Sequence, residues 1–455
     1  MIKKGKWTFG RLSTDVSKST TAAGPKQQSP SSKSDLSGIE IIPEYLSVEE
    51  AINRGQGMVL VTGGAGTGKS TLIKWLQEKH EGAVIVAAPT GIAALTIGGK
   101  TIHSICGFPP AWLVDSDIRL NRKSPVSKAS LLIIDEVSMV NANVLDAMSD
   151  FFKMNIGREK PFGGISVVMV GDLFQLPPII NQNVKHLFKE KYASPKFFAA
   201  KSIRDSEFEV IELTKAFRQT DQSFVDLLAD VREGKNLGRA LTLINERCHG
   251  LGSPTDGTVW LSPRNADVDR VNQERLAALP GPDRTYSGIL RGDFKESHLP
   301  VPGDVKLRVG AQVVLANNTA NWVNGSVAIV AELLEDKIRI VLHGQSKVHE
   351  VVANTWEQFD YVWDSETDSI QRVVIGTYTQ IPVHLAWAMT VHRSQGLTLD
   401  RVHLELGRGA FETGQTYVAL SRCRSLENLT LSRKLERSDI LVDPEAIAFY
   451  EAIRE

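Results

Sequence analysis

Residues Gly63–Thr71 read GGAGTGKST and follow directly on the apolar run MVLV at Met58–Val61. The fold class of the chain hangs on that junction. Glycine tolerates positive φ, so Gly63, Gly64, Gly66 and Gly68 let the backbone turn its N–H groups inward around an anion. Lys69 then reaches the β and γ phosphates, and Ser70 supplies a hydroxyl for Mg²⁺. The next residues, TLIKWLQEKH at Thr71–His80, read as a helix whose positive dipole end adds to the anion site. A strand, a glycine loop and a helix in this order predict a nucleoside-triphosphate site formed by Gly64, Gly66, Thr67, Gly68, Lys69, Ser70 and Thr71, with Mg²⁺ on Ser70.

Outward from the loop, short β-branched runs alternate with helical segments: AVIVAAP at Ala83–Pro89, LLIIDEV at Leu131–Val137, ISVVMVGD at Ile165–Asp172 and EVIELT at Glu209–Thr214. Near-continuous apolar strands separated by helices predict a parallel sheet covered on both faces. A second set of segments follows, TVWLSPRNADVDRVNQERLAAL at Thr258–Leu279, RVHLEL at Arg401–Leu406, TYVALSR at Thr416–Arg422 and NLTLS at Asn428–Ser432. Its parts are separated by a region of different character, with alternating stretches such as KIRIVLHG at Lys337–Gly344 and an Asn324-Gly325 turn. Period-two alternation broken by turns predicts a small antiparallel β-barrel inserted in the second core. The expected organisation is a first core over 39–214, a second over 215–301 plus 381–455, and the barrel over 302–380.

Five further residues would turn the phosphate loop into a hydrolytic site. Asp135 and Glu136 end a buried strand, where the first can hold Mg²⁺ through water and the second can polarise the attacking water as general base. Gln175, in VVMVGDLFQLPP just past another strand, can sense the γ-phosphate through its amide. Arg218 in LTKAFRQ and Arg422 in YVALSRCRS carry permanently charged planar forks suited to charge developing on that phosphate from across a cleft. For Arg424 a structural ion pair is the expectation.

The bulk numbers bound the partners. With 455 residues, and 52 basic against 53 acidic side chains, any nucleic-acid surface must be a local groove. Three scattered cysteines, Cys106, Cys248 and Cys423, give no zinc or iron–sulfur spacing and suit a reducing compartment. No window has the length of an apolar membrane span, and MIKKGKWTFG lacks a signal-peptide core, so a soluble intracellular protein is expected. Residues 1–38, containing STTAAGPKQQSPSSKSD at Ser19–Asp35, are polar and basic and predict a disordered tail.

The phosphate loop, APTGIAALTIGGKTIHS at Ala88–Ser104, IIDEVSMV, VVMVGDLFQLPPI, the FRQ at Phe217–Gln219, AWAMTVHRSQGLTLDRV at Ala386–Val402 and TYVALSRCRSLENLTL resemble, in order, the motifs of superfamily 1 helicases of the RecD-like branch. Within it, LDAMSDFFKMNIGREKPFGGISVVMVGDLFQLPP at Leu145–Pro178 resembles the signature of the petite-integration-frequency helicases, bacterial members especially. The resemblance implies an α/β fold of two RecA-like cores, a wedge insertion at about 105–127 and a Src-homology-3-like inserted barrel. It implies an ATP- and Mg²⁺-dependent 5′-to-3′ DNA helicase acting on single-stranded, forked or structured DNA such as G-quadruplexes, as a monomer, cytoplasmic and nucleoid-associated in a bacterium. Lys69, Ser70, Asp135, Glu136, Gln175, Arg218 and Arg422 match its catalytic set. Candidate DNA contacts are Thr90, Gly91, Thr101, His103, Ser104, His392, Ser394 and Gln395, whose hydroxyls, imidazoles, amide and helix-start N–H groups bind phosphates without reading sequence. Such contacts do not sense the 2′-hydroxyl, so on their own they leave RNA open as a track. Trp112, in PPAWLVD, is the expected exposed aromatic at the fork.

Overall fold

The structure, a computed structural model, describes residues 40–454 except 56, 110, 122–123, 181, 207, 220, 250–256, 318, 323 and 365–368; the tail expected over 1–38 lies outside the described residues. Strands β1 (Met58–Gly63), β2 (Val84–Ala88), β3 (Lys100–Thr101), β4 (Leu131–Ile134), β5 (Ser166–Val170) and β6 (Phe208–Leu213) form one sheet in the order β3-β2-β4-β5-β1-β6. Every pairing is parallel. Side chains alternate across a strand, so Met58, Leu60, Ile85, Ala87, Leu132 and Ile134 enter one core. Their neighbours Val59, Val61, Val86, Ala88, Leu131 and Ile133 enter the other, which is why these strands are apolar throughout rather than alternating. The phosphate loop leaves the carboxyl end of β1, Asp135 that of β4 and Gln175 the loop after β5, so the strand order gathers them in one crevice.

Strand β7 (Val259–Ser262) opens a second sheet. The chain then leaves it for β8 (Arg284–Ser287), β9 (Ile289–Gly292), β10 (Asp304–Leu307), β11 (Gln312–Leu315), β12 (Val327–Leu333), β13 (Lys337–Leu342), β14 (Val348–Val352), β15 (Asn354–Asp364), β16 (Ser369–Gln380) and β17 (Val383–Leu385). These pair antiparallel as β14-β13-β12-β11-β17, β10-β8 and β15-β16-β9; the first two surround a core that includes Leu307, Val313, Leu315, Ile338 and Ile340, while Tyr378 of the third packs in a separate cluster with Phe294 and Val301. The chain returns as β18 (Ala388–Thr390), β19 (Val402–Leu404) and β20 (Leu429–Leu431), completing a parallel sheet β18-β7-β19-β20.

Two expected boundaries need correction. The antiparallel insertion begins at Arg284 and ends at Leu385, wider than 302–380. In RTYS only Tyr286 is buried and ILRG is exposed throughout, so those strands carry no hydrophobic alternation to read. The last helix, Pro444–Arg454, does not cover the second core, to which 381–455 had been assigned. Its Ala446 and Tyr450 lie in the first core's cluster with Phe174 and Phe208, and Lys196 pairs with Asp443 and Glu445 at its start. An apolar stripe states that a terminal helix must cover something, not which sheet lies within reach.

Candidate functional site

The loop is closed by its own backbone. Gly66 and Gly68 sit at φ 80° and 89°. Lys69 donates from Nζ to the carbonyls of Gly63 and Gly64 at 2.8 Å each, and Thr67 donates to Gly64 O at 2.9 Å. Burial lowers the Lys69 pKa, while Asp172 and Glu136 act the other way. Tyr45 donates to Gly68 O at 2.7 Å, tying the helix Pro43–Asn53 to the start of Lys69–Lys79. The exposed ring of Phe217 lies beside Gly68, with Lys215 Nζ 5.1 Å from its centre.

Asp135 is buried and accepts from the Glu136 N–H at 2.9 Å. Burial, and then the neighbouring Glu136 carboxylate, push Asp135 up to about 7. Burial also raises Glu136, while Lys69 and Arg422 hold it down. Glu136 has φ 48°, a strained left-handed conformation for a non-glycine residue that aims its carboxylate into the cleft.

The second core reaches the same point. Gln395 donates from Nε2 to Glu136 at 3.1 Å and to Gln175 Oε1 at 3.3 Å. Expected among the strand contacts, it spans Glu136 and Gln175 in this structure. Arg422 is 1% exposed and spends its fork on carbonyls of Val418, Ser394 and Leu397 and on Ser421 Oγ. Burial and then the nearby Arg218 lower its pKa to about 9. Arg218 donates to Ser421 O at 3.2 Å and Gly396 O at 3.5 Å. Neither guanidinium has a carboxylate within bonding distance among the described residues, and Glu136 is the nearby negative charge that both of them feel. Arg424 pairs with Asp400 at 3.6 Å on the surface, as expected.

Among the residues expected to meet a strand, Thr90 caps the helix Gly91–Thr96 through Ala93 N–H, and Thr101 caps Ile102–Cys106 through Ser104 N–H. Thr101 is 6% exposed and also donates to Ser104 Oγ at 2.8 Å, so its hydroxyl shapes the turn. Gly91, Thr101 and Ser104 line a cleft closed from the inserted barrel by Phe294, His298 and Gln358. His103 is half-buried, and burial, Lys295 and His298 lower its pKa. His392 is half-buried in the turn after β18, and burial lowers it too. Ser394, also expected among the strand contacts, is fully buried and donates to Val391 O at 2.8 Å.

Trp112 is not the exposed aromatic expected. It packs edge-on against Phe188 at 4.9 Å and near Tyr192 at 6.3 Å, while Asn143 holds Leu113 by two backbone bonds of 2.9 and 3.0 Å. The insertion is thus pinned to the first core.

With this geometry in place, the relatives are decisive. The PIF1-like helicase profile matches residues 44–239. The ATP-dependent DNA helicase Pif1 of Bdellovibrio bacteriovorus is 32% identical over 431 residues, 91% of this chain and 92% of that one. The chain belongs to the PIF1-like helicase family. The human ATP-dependent DNA helicase PIF1 is 33% identical over 447 residues, 93% of this chain but 65% of the relative, so the chain spans just under two thirds of such longer family members. The Bacteroides Pif1 crystal structure with ADP-AlF4 superimposes with TM-score 0.85 at 33% identity, over 91% of this chain and 97% of that one. The same Bacteroides protein bound to single-stranded DNA gives 0.67.

Several residues of this PIF1-like site escaped the sequence reading. Asp172, inside the quoted GDLFQ, is 0% exposed and accepts from Arg232 Nε at 3.0 Å, Tyr417 OH at 3.0 Å and Gln175 Nε2 at 3.3 Å. Asp172 and Tyr417 stood within quoted motifs and could have been singled out; Arg232 and Tyr450 lie in ordinary amphipathic helices and carried no signal.

Proposed function

We propose that this chain is an ATP-dependent DNA helicase that moves 5′ to 3′ along a single strand and opens the duplex ahead, structured DNA included. The observation that carries the reading is Gln395 of the second core bridging Glu136 and Gln175, with Arg218 and Arg422 near Glu136 and bonded to neutral oxygens. Guanidinium forks that bond only neutral oxygens can turn to a triphosphate. Ser70 and the buried Asp135 carboxylate offer hard oxygen donors, and a second raised carboxylate beside them needs positive charge, which fits Mg²⁺. Mg²⁺ held there would neutralise phosphate charge.

In this account Lys69 leaves the Gly63 and Gly64 carbonyls for the phosphates, Gln175 orients the attacking water, and Glu136 takes its proton. Arg218 and Arg422 meet the charge that develops on the γ-phosphate. Both arginines come from the same chain, which supports a monomer as the working unit. Because Gln395 and Arg422 belong to the second core, binding and loss of the γ-phosphate would draw the cores together and release them. Thr90, Gly91, His103 and Ser104 on one core, and His392 on the other, would pass the strand along. Trp112, braced by Phe188 and Tyr192, would support the wedge that parts the fork. Hydrolysis measured with and without single-stranded DNA tests this: Arg422→Ala should lower the stimulated rate by about 10³-fold, within the range for a lost arginine finger. An unchanged rate would remove Arg422 from the mechanism.

A further inference from the structure

We propose that the buried cluster of Asp172, Arg232, Tyr417 and Tyr450 is a positioning device that ties closure of the two cores to the phosphate loop and Gln175, making the C-terminal helix a working part of the ATPase. The proposal rests on the ATPase reading above and assigns residues outside its catalytic set. Asp172 belongs to the first core, whereas Arg232, in the helix Gln222–Glu233, and Tyr417, in Gln415–Leu420, belong to elements packed on the second. Their bonds to one fully buried carboxylate therefore cross the cleft.

Each arm leads into the nucleotide machinery. The Tyr417 hydroxyl accepts from the Ala65 N–H of the phosphate loop at 2.9 Å while donating to Asp172. Gln175 is held to Asp172 twice, through its side chain at 3.3 Å and through its backbone N–H to Asp172 O at 3.0 Å. Tyr450, from the C-terminal helix, bonds Thr62 just ahead of the loop and accepts from Arg232 Nη2 at 3.1 Å. Its ring stacks on Phe174 at 5.0 Å and 8°, and the Arg232 guanidinium lies 4.8 and 5.3 Å from the two ring centres.

A buried ion pair is weak as a source of stability, because an apolar cluster of the same volume holds a core as well or better. What it provides is direction: Arg232 Nε takes Asp172 Oδ1 and Tyr417 OH takes Oδ2, so the two second-core arms hold the carboxylate from both oxygens. A rotation of the second core either carries Asp172 along, moving Gln175 and the loop front together, or breaks the contact.

The test deletes hydroxyls and keeps ring volume, since Asp172→Ala would strand a buried cation and endanger folding. Tyr417→Phe and Tyr450→Phe are compared with the wild type for DNA-stimulated kcat, KM for ATP, base pairs opened per ATP hydrolysed, and Tm. The expected result is a fall in kcat of about tenfold for Tyr417→Phe, whose hydroxyl bonds the phosphate loop and Asp172 directly, and a smaller fall for Tyr450→Phe, whose two bonds reach them through Thr62 and Arg232. Fewer base pairs should open per ATP in both. Variants that lose Tm but keep kcat and base pairs per ATP within about twofold, the scale of sub-kcal/mol effects, overturn the proposal while leaving the ATPase reading intact. A wild type without DNA-stimulated hydrolysis overturns both.

Discussion

Gly66 is the position where one methyl group tests the site's geometry. A Cβ there would lie 2.5 Å from Arg218 Cβ and 3.2 Å from Gln219 Oε1. Carbon atoms in contact normally stand about 3.5–4.0 Å apart, so Arg218 would have to retreat by roughly 1 Å. A displacement of that size at a catalytic group costs about 10²-fold in rate. Gly66 also sits at φ 80°, and alanine in that region costs about 1–2 kcal/mol. Gly157 separates the two effects. It ends the helix Ala142–Ile156 at φ 77°, and a methyl group added there would meet nothing within 4 Å, so Gly157→Ala carries the backbone cost alone. Melting curves should show similar losses for the two variants, while DNA-stimulated kcat should fall about 100-fold for Gly66→Ala only. Rates within about threefold of each other would refute the claim that the loop and Arg218 are held in fixed register.

Gln395→Ala removes the bridge between Glu136 and Gln175 and should lower kcat by about tenfold, two hydrogen bonds at ~1 kcal/mol each, partly replaced by water; steady-state hydrolysis reads it. Trp112→Ala should reduce strand displacement more than hydrolysis, with an added stability loss of about 3 kcal/mol from the emptied aromatic cluster; an equal loss of both activities would remove Trp112 from the fork. His384 donates to Pro300 O at 2.8 Å, and burial depresses its pKa to about 4. A depressed folded value favours the neutral ring, so its stability contribution is present above about pH 6.5 and is lost as pH falls towards 4. Melting temperature should drop over that window, and His384→Gln should flatten the drop.

What was legible in the sequence was the chemistry written in contiguous residues. GGAGTGKST, the DE at 135–136 and GDLFQ each state both a residue type and its place at a strand end. Contacts between cores were not legible. Gln395 was read as a strand contact because its amide, like the groups of His392 and Ser394 in the same motif, suits a phosphate. Only the approach of the turn after β18 to the crevice shows that its amide lies between Glu136 and Gln175. Ser394 shares that turn but points into the core, a difference of one residue in a turn that no periodicity predicts. Trp112 looked exposed among prolines because its partners, Phe188 and Tyr192, come from a distant helix and its end. Tyr450 acquires a role only when the chain's last helix crosses back to the first core.

The most direct test of the account is unwinding of duplexes bearing a 5′ or a 3′ single-stranded tail, measured beside ATP hydrolysis for the wild type and Lys69→Ala. The account predicts that DNA stimulates hydrolysis, that only the 5′-tailed duplex opens, and that Lys69→Ala abolishes both. Stimulated hydrolysis with neither duplex opened would contradict it and make the chain a nucleotide-gated clamp on single strands.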